Sequence, residues 1–187
     1  MVDWTALLKS VIPELCMDRP FVCDGFPDKS CVIVIGENPA TQMDKCWWHY
    51  WSKDTGFNIK AFKRDYEVKR MERGKRPVSN TRRRLDWLRE NGIRCVETNV
   101  YRNEKAGGAG AGTPNYDVLN LLVRNMPALC AVIAHGKVAH RLAEEFAEKY
   151  TFPKDTKIFR MRHFRMDSRE AIEGICQEIK ARGTKPR

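Results

Sequence analysis

Residues 31–36 read CVIVIG, an unbroken run of apolar, mostly β-branched side chains closed by a glycine. With no polar residue at alternate positions, such a run suits a strand buried on both faces, and strands of that kind belong to sheets covered by helices. IRCVETNV at 93–100 and ALCAVIA at 128–134 read as further strands, and Lys157 to Arg162 as a short fourth. Helical patterns separate them. Trp4, Leu7, Leu8 and Val11 follow an Asp3 cap and stop at Pro13. A helix over about Thr81–Asn91 ends at Gly92. Another opens at Thr113-Pro114, carries Val118, Leu119, Leu122 and Met126 on one face and stops at Pro127. After His135-Gly136, Val138, Leu142, Phe146 and Tyr150 recur every fourth residue. A last helix, capped by Asp167 or Ser168, presents Ile172, Ile175, Cys176 and Ile179. This alternation predicts an α/β fold, a three-layer α/β/α sandwich around a short, mostly parallel central sheet with strands near 31–36, 94–99, 129–134 and 157–162.

The 187 residues suit one domain, 1–187, with no internal repeat. Pro20–Ser30 is turn-rich. Asp44–Tyr66 is crowded with rings and has no clear assignment; with the basic stretch behind it, it reads as an insertion over about 44–84. Seven cysteines, an odd number with no CxxC pair, argue against a disulfide framework or a structural zinc site, so no metal is expected. No apolar run is long enough to span a bilayer, and Met1-Val2-Asp3-Trp4 lacks the pattern of a secretory signal, so a cytoplasmic protein is expected.

The net charge is +10, and eleven Lys or Arg stand against three acids between Lys60 and Arg84. Cations so concentrated can neutralise phosphates and release counterions, which gives salt-sensitive binding of nucleic acid. A solvated helical face is the plainer use of the same residues.

In a parallel sheet, binding groups gather at the carboxyl ends of the strands. Those ends read Gly36-Glu37-Asn38-Pro39, Thr98-Asn99-Val100-Tyr101, His135-Gly136-Lys137 and Arg162-His163-Phe164-Arg165. In this order they resemble the uracil-DNA glycosylase superfamily. The first strand of that family ends in a Gly-x-Asx-Pro or Gly-Glu-x-Pro loop that handles the attacking water. Its second often ends in Thr-Asn-Val, whose asparagine reads the base edge, and its third in an apolar run and a glycine before a helix. The resemblance covers roughly Cys31 to Ile179 as short motifs between long unmatched stretches. It departs in the fourth loop, where a His-Pro-Ser pattern would be usual, and in lacking the cysteine spacing of the iron–sulfur branches. No cluster or other cofactor is expected.

The resemblance implies a monomer that binds DNA and excises uracil or another damaged base. Asn38, Glu37 and His163 would be catalytic. Gly36, Pro39, Asn99 and His135 would hold the base, with Tyr50 or Phe57 as a stacking platform. Lys137, Arg82, Arg83, Arg84, Arg162 and Arg165 would contact DNA. An extruded base needs this set: a water-positioning group, an edge reader, a ring to stack on and a donor for charge developing on the leaving base. Asn99 offers donor and acceptor together. Each residue also has a structural use: Asn38 as a turn before Pro39, Asn99 as a strand-end cap, His163 as a surface residue, Glu37 as a helix-end charge, the tryptophans as core. Two other readings stay open. One is a domain of the same fold that binds nucleic acid without chemistry. The other is a nucleotide-binding protein that uses the glycine loop at 106–112, although that loop lacks the lysine of a P-loop.

Overall fold

The computed structural model describes residues 2–102, 114–150 and 152–183. The glycine loop therefore lies outside the described residues. Among the described residues six α-helices accompany a five-stranded sheet of order β1-β5-β2-β6-β7. The strands are β1 (Phe21–Val22), β2 (Val32–Gly36), β5 (Cys95–Asn99), β6 (Ala131–His135) and β7 (Lys157–Met161), while β3 (Trp51–Ser52) and β4 (Gly56–Phe57) form a separate hairpin. The four predicted strands run parallel to one another. Within this sheet β1 runs antiparallel, along β5. It falls in the stretch read as turns, because two residues between Pro20 and Cys23 give no periodicity to detect.

The helices are α1 (Trp4–Lys9), α2 (Ile59–Glu72), α3 (Asn80–Glu90), α4 (Tyr116–Asn125), α5 (Lys137–Lys149) and α6 (Arg169–Gly183). Four begin where a short polar side chain takes an orphan amide: Asp3 accepts from the Ala6 N–H, Asn58 from that of Ala61, Ser79 from that of Arg82 and Ser168 from that of Ala171, at 3.0–3.3 Å. Gly92, at φ 76°, turns the chain out of α3 toward β5, a conformation that L side chains rarely adopt.

Alternation along the strands builds two apolar cores on opposite sheet faces. Ile33, Ile35, Val96, Val132 and Ala134 join side chains of α1, α2, α4 and α5. Val32, Val34, Cys95, Ala131 and Ile133 pack with Leu85 and Leu88 of α3, with Phe164, and with Ile172 and Ile179 of α6. Each fully buried Ile or Phe contributes about 1.5–3 kcal/mol of burial, so the sheet is held from both sides.

The ring-rich segment belongs to the first core. Trp47, Tyr50 and Phe57 are almost wholly buried, and Trp47 stacks on Trp51 with centroids 5.5 Å apart. Their polar atoms are used internally: the Trp47 indole N–H donates to the Phe21 carbonyl at 2.7 Å and that of Trp48 to Pro13 at 2.8 Å. Gly56 allows this packing, since a Cβ there would stand 2.3 Å from the Gly25 backbone.

Candidate functional site

Register brings the strand ends together. Gly36 pairs with Asn99, Ile35 with Ala134, and His135 with Met161, so the loops after β2, β5, β6 and β7 emerge at one edge of the sheet. The first two are tied to each other: the Val100 N–H donates to the Gly36 carbonyl at 2.8 Å and that of Tyr101 to Glu37 at 3.0 Å. The imidazole of His140 on α5 donates to the Met161 carbonyl at 2.6 Å, fixing the end of β7.

At this edge lies a cleft of about 130 Å³. Glu37, Asn38, Asn99, His135 and His163 all line it, contributed by all four parallel-strand ends. Gly36 has to be a glycine here, because a Cβ would meet His135 Nε2 at 2.8 Å and Asn99 Oδ1 at 3.0 Å. The backbone of β2 thus passes between the two side chains that flank it.

The histidines differ. His135 is buried, stacked on Phe164 at 4.7 Å and 10°, with His163 at 5.3 Å. Burial first, then the nearby charges of His163 and His140, pushes its pKa down to about 3, so the ring is neutral at physiological pH. Its Nδ1 is buried without a partner among the described residues. His163 is exposed, and its Nδ1 accepts from the Arg165 N–H at 3.3 Å. A neutral ring then carries its proton on Nε2. Its pKa is lowered by partial burial and by Arg165, against the opposing pull of Glu37 and Asp167.

Several expectations are corrected by the packing. Tyr50 and Phe57 cannot serve as a stacking platform in the cleft: Phe57 is sealed in the first core, and Tyr50 faces a separate, much smaller cavity. Pro39 is buried and lines that same small cavity. Arg82 is not a surface DNA contact. It is buried, and its guanidinium donates to Glu97 Oε1 at 2.5 Å. Arg84 is half-buried, donates to the Asp167 carbonyl at 3.1 Å and lies over Trp87, which leaves it little freedom for a phosphate. The basic stretch is therefore partly consumed inside the protein, with Arg70 over Tyr66, Lys63 paired with Asp86 and Lys69 with Asp44. Arg83, Lys137, Arg162 and Arg165 remain exposed, the last two beside His163.

Sequence reasoning missed Glu97, Tyr66 and Ser79, which also line the cleft, together with Thr98 and Arg82. Tyr66 donates its hydroxyl to Ser79 at 3.1 Å, and Thr98 donates to the Pro20 carbonyl at 2.7 Å. Glu97 is buried between two guanidiniums, those of Arg82 and Arg89. Burial works against its charge, yet the two cations more than offset it and hold the pKa at about 2. One signal was available: Glu97 is the lone acid in a buried strand, two residues before Asn99 and so on the same face.

Among the described residues no group of three or more His, Cys, Asp or Glu is placed to hold a metal ion, and no helix is long and apolar enough to cross a membrane. No known family matches the sequence, and no curated protein matches it either.

Proposed function

We propose that this chain is a DNA-binding base-excision protein, a glycosylase-like hydrolase that cleaves the N-glycosidic bond of uracil or another damaged base. One observation carries the reading: the four motifs that resemble the uracil-DNA glycosylase superfamily, far apart in sequence, have their polar side chains on a single cleft. In this reading an extruded base enters the cleft and Asn99 meets its edge with a donor and an acceptor. The amide oxygen of Asn38 orients a water toward the sugar, whose C1′ gains the water oxygen as the bond to the base breaks. Glu37 accepts the water's proton. The neutral His163 donates a hydrogen bond to the departing base, whose developing negative charge it stabilises. Arg83, Lys137, Arg162 and Arg165 supply phosphate contacts around the mouth.

The test is purified protein against labelled oligonucleotides carrying uracil, hypoxanthine, xanthine or thymine mismatches, followed by alkaline cleavage. Strand breaks are expected for at least one lesion. Asn38→Ala should lose most of the rate while keeping DNA affinity, because water orientation matters in the transition state. Asn99→Ala should lose discrimination between bases, about 1–3 kcal/mol for a bidentate pair. Tight DNA binding with no excision of any lesion would replace the enzyme by a non-catalytic binder of the same fold.

A further inference from the structure

The amino ends of the parallel strands, opposite the cleft, carry thiols that the proposed function does not use. Of the seven cysteines, Cys16, Cys23, Cys95 and Cys176 are buried, while Cys31, Cys46 and Cys130 keep access to solvent. Two of these three stand side by side. Val32 on β2 pairs with Ala131 on β6, and one residue earlier the Cys130 N–H donates to the Cys31 carbonyl at 2.9 Å. Neighbouring strands lie about 4.7–4.9 Å apart, inside the window of about 4.4–6.8 Å that a disulfide needs between its Cα atoms. The two side chains also share a face, since both pack against the second core. The Cys31 S–H donates to the Arg94 carbonyl at 3.7 Å and that of Cys130 to the Cys31 carbonyl at 3.4 Å. The thiols hydrogen-bond to each other as well, and this contact, ahead of partial burial, raises the Cys31 thiol above its ordinary range. Cys46 differs: its S–H is held by the Glu14 carbonyl at 3.3 Å, and Cys16, the cysteine close to it, is buried.

We propose that Cys31 and Cys130 are a reversible redox modification site, which a small-molecule disulfide such as glutathione disulfide oxidises to a bridge tying β2 to β6. One thiol loses its proton, and its sulfur attacks a sulfur of the small disulfide. That S–S bond breaks, a mixed disulfide forms, and one small thiolate leaves and takes up a proton. The second cysteine then loses its proton and attacks the protein sulfur of the mixed disulfide, which releases the second small thiol. Two protein thiols are oxidised, one small disulfide is reduced to two thiols, and the protons balance. Side chains paired across neighbouring strands keep close to the strand spacing, whereas a bridge prefers about 3.5–4.5 Å between its Cβ atoms. Closing it draws together two strands packed on both faces, and a bridge strained in this way is of the readily reduced kind. This is one labile bridge and not a folding framework, and it stands whether or not the cleft takes a base.

The test incubates the folded full chain with glutathione disulfide at mildly alkaline pH, which offsets the raised Cys31 thiol, then alkylates it and maps the peptides by mass spectrometry. One cross-link between the peptides carrying Cys31 and Cys130 is expected, with two of the seven thiols lost. Reduced glutathione should reopen it. Cys31→Ser and Cys130→Ser should each stop at a single glutathione on the cysteine of the pair that remains. If either variant fails to fold, the wild-type map decides alone. A folded wild type that forms no cross-link would overturn the proposal, as would one in which glutathione stays on both cysteines without a bridge. A cross-link through another pair, with Cys31 and Cys130 still alkylated, would overturn it too. A bridge that survives reduced glutathione would overturn its reversibility.

Discussion

Replacing Gly36 by alanine puts a methyl group where two side chains already stand. The new carbon would lie 2.8 Å from Nε2 and 2.9 Å from Cε1 of His135, and 3.0 Å from Oδ1 of Asn99. Comfortable separations are about 3.5–4.0 Å, so the imidazole has to retreat by roughly 0.7 Å. The ring is stacked on Phe164, which is fully buried in the second core, and any retreat displaces that packing. Asn99 is only half-buried and can swing outward. The expected cost of overpacking is about 1–3 kcal/mol, with the melting temperature falling by about 2–4 °C for each kcal/mol in a chain of this size. On the proposed reading of the cleft the functional loss should be larger, because displacing the side chain proposed to read the base edge by ~1 Å can cost about 10²-fold. Thermal melts and single-turnover excision on the same preparation measure both. A Gly36→Ala protein that melts with the wild type and retains its rate and base preference would refute the claim that Gly36 sets the spacing of His135 and Asn99.

His135 should stay neutral far below the usual histidine range. Its folded pKa near 3 lies below the unfolded value of about 6.5, so the unfolded chain takes up the proton first as pH falls. Stability should therefore drop by about 1.4 kcal/mol per pH unit between 6.5 and 3, a slope that His135→Asn should flatten in urea titrations. Glu97 behaves as a stabilised acid: its contribution is present above about pH 4.5 and is lost as pH falls through about 2, roughly 3 kcal/mol in all, and Glu97→Gln should remove that further acid sensitivity. Alanine at Lys137, Arg83, Arg162 or Arg165 should each lower the log–log salt slope of duplex binding by about 0.9. Arg82→Ala should leave the slope unchanged and cost about 3 kcal/mol of stability, since it strips one partner from a buried carboxylate.

The sheet was legible because its strands announce themselves. CVIVIG and ALCAVIA hold so many β-branched or small apolar residues that burial on both faces is their natural use, and the observed bounds, Val32–Gly36 and Ala131–His135, differ from the reading by no more than three residues. The strand-end residues were legible for the same reason: once parallel order is given, Asn38, Asn99, His135 and His163 must emerge on one side. The insertion was not legible. A ring or a long cation looks the same in sequence whether it faces a groove or a core. Tyr50 and Phe57 are buried only because Phe21, Trp47 and Phe62 surround them, and those neighbours come from three separate segments. Arg82 reads as part of a basic triplet until Glu97, on a strand beyond the end of its helix, is seen to claim it. Long-range pairing of this kind leaves no local periodicity, and that is where the sequence reading of the site fell short.

Amide hydrogen exchange with and without a lesion-bearing duplex tests the central claim most directly, because it reports on all four strand ends at once. The account predicts slowed exchange at 36–39, 99–102, 135–138 and 162–166 together, with the amides of the buried ring cluster at 47–57 unchanged. Protection confined to α2 and the stretch at 73–78, with the strand ends exchanging as in the free protein, would contradict it.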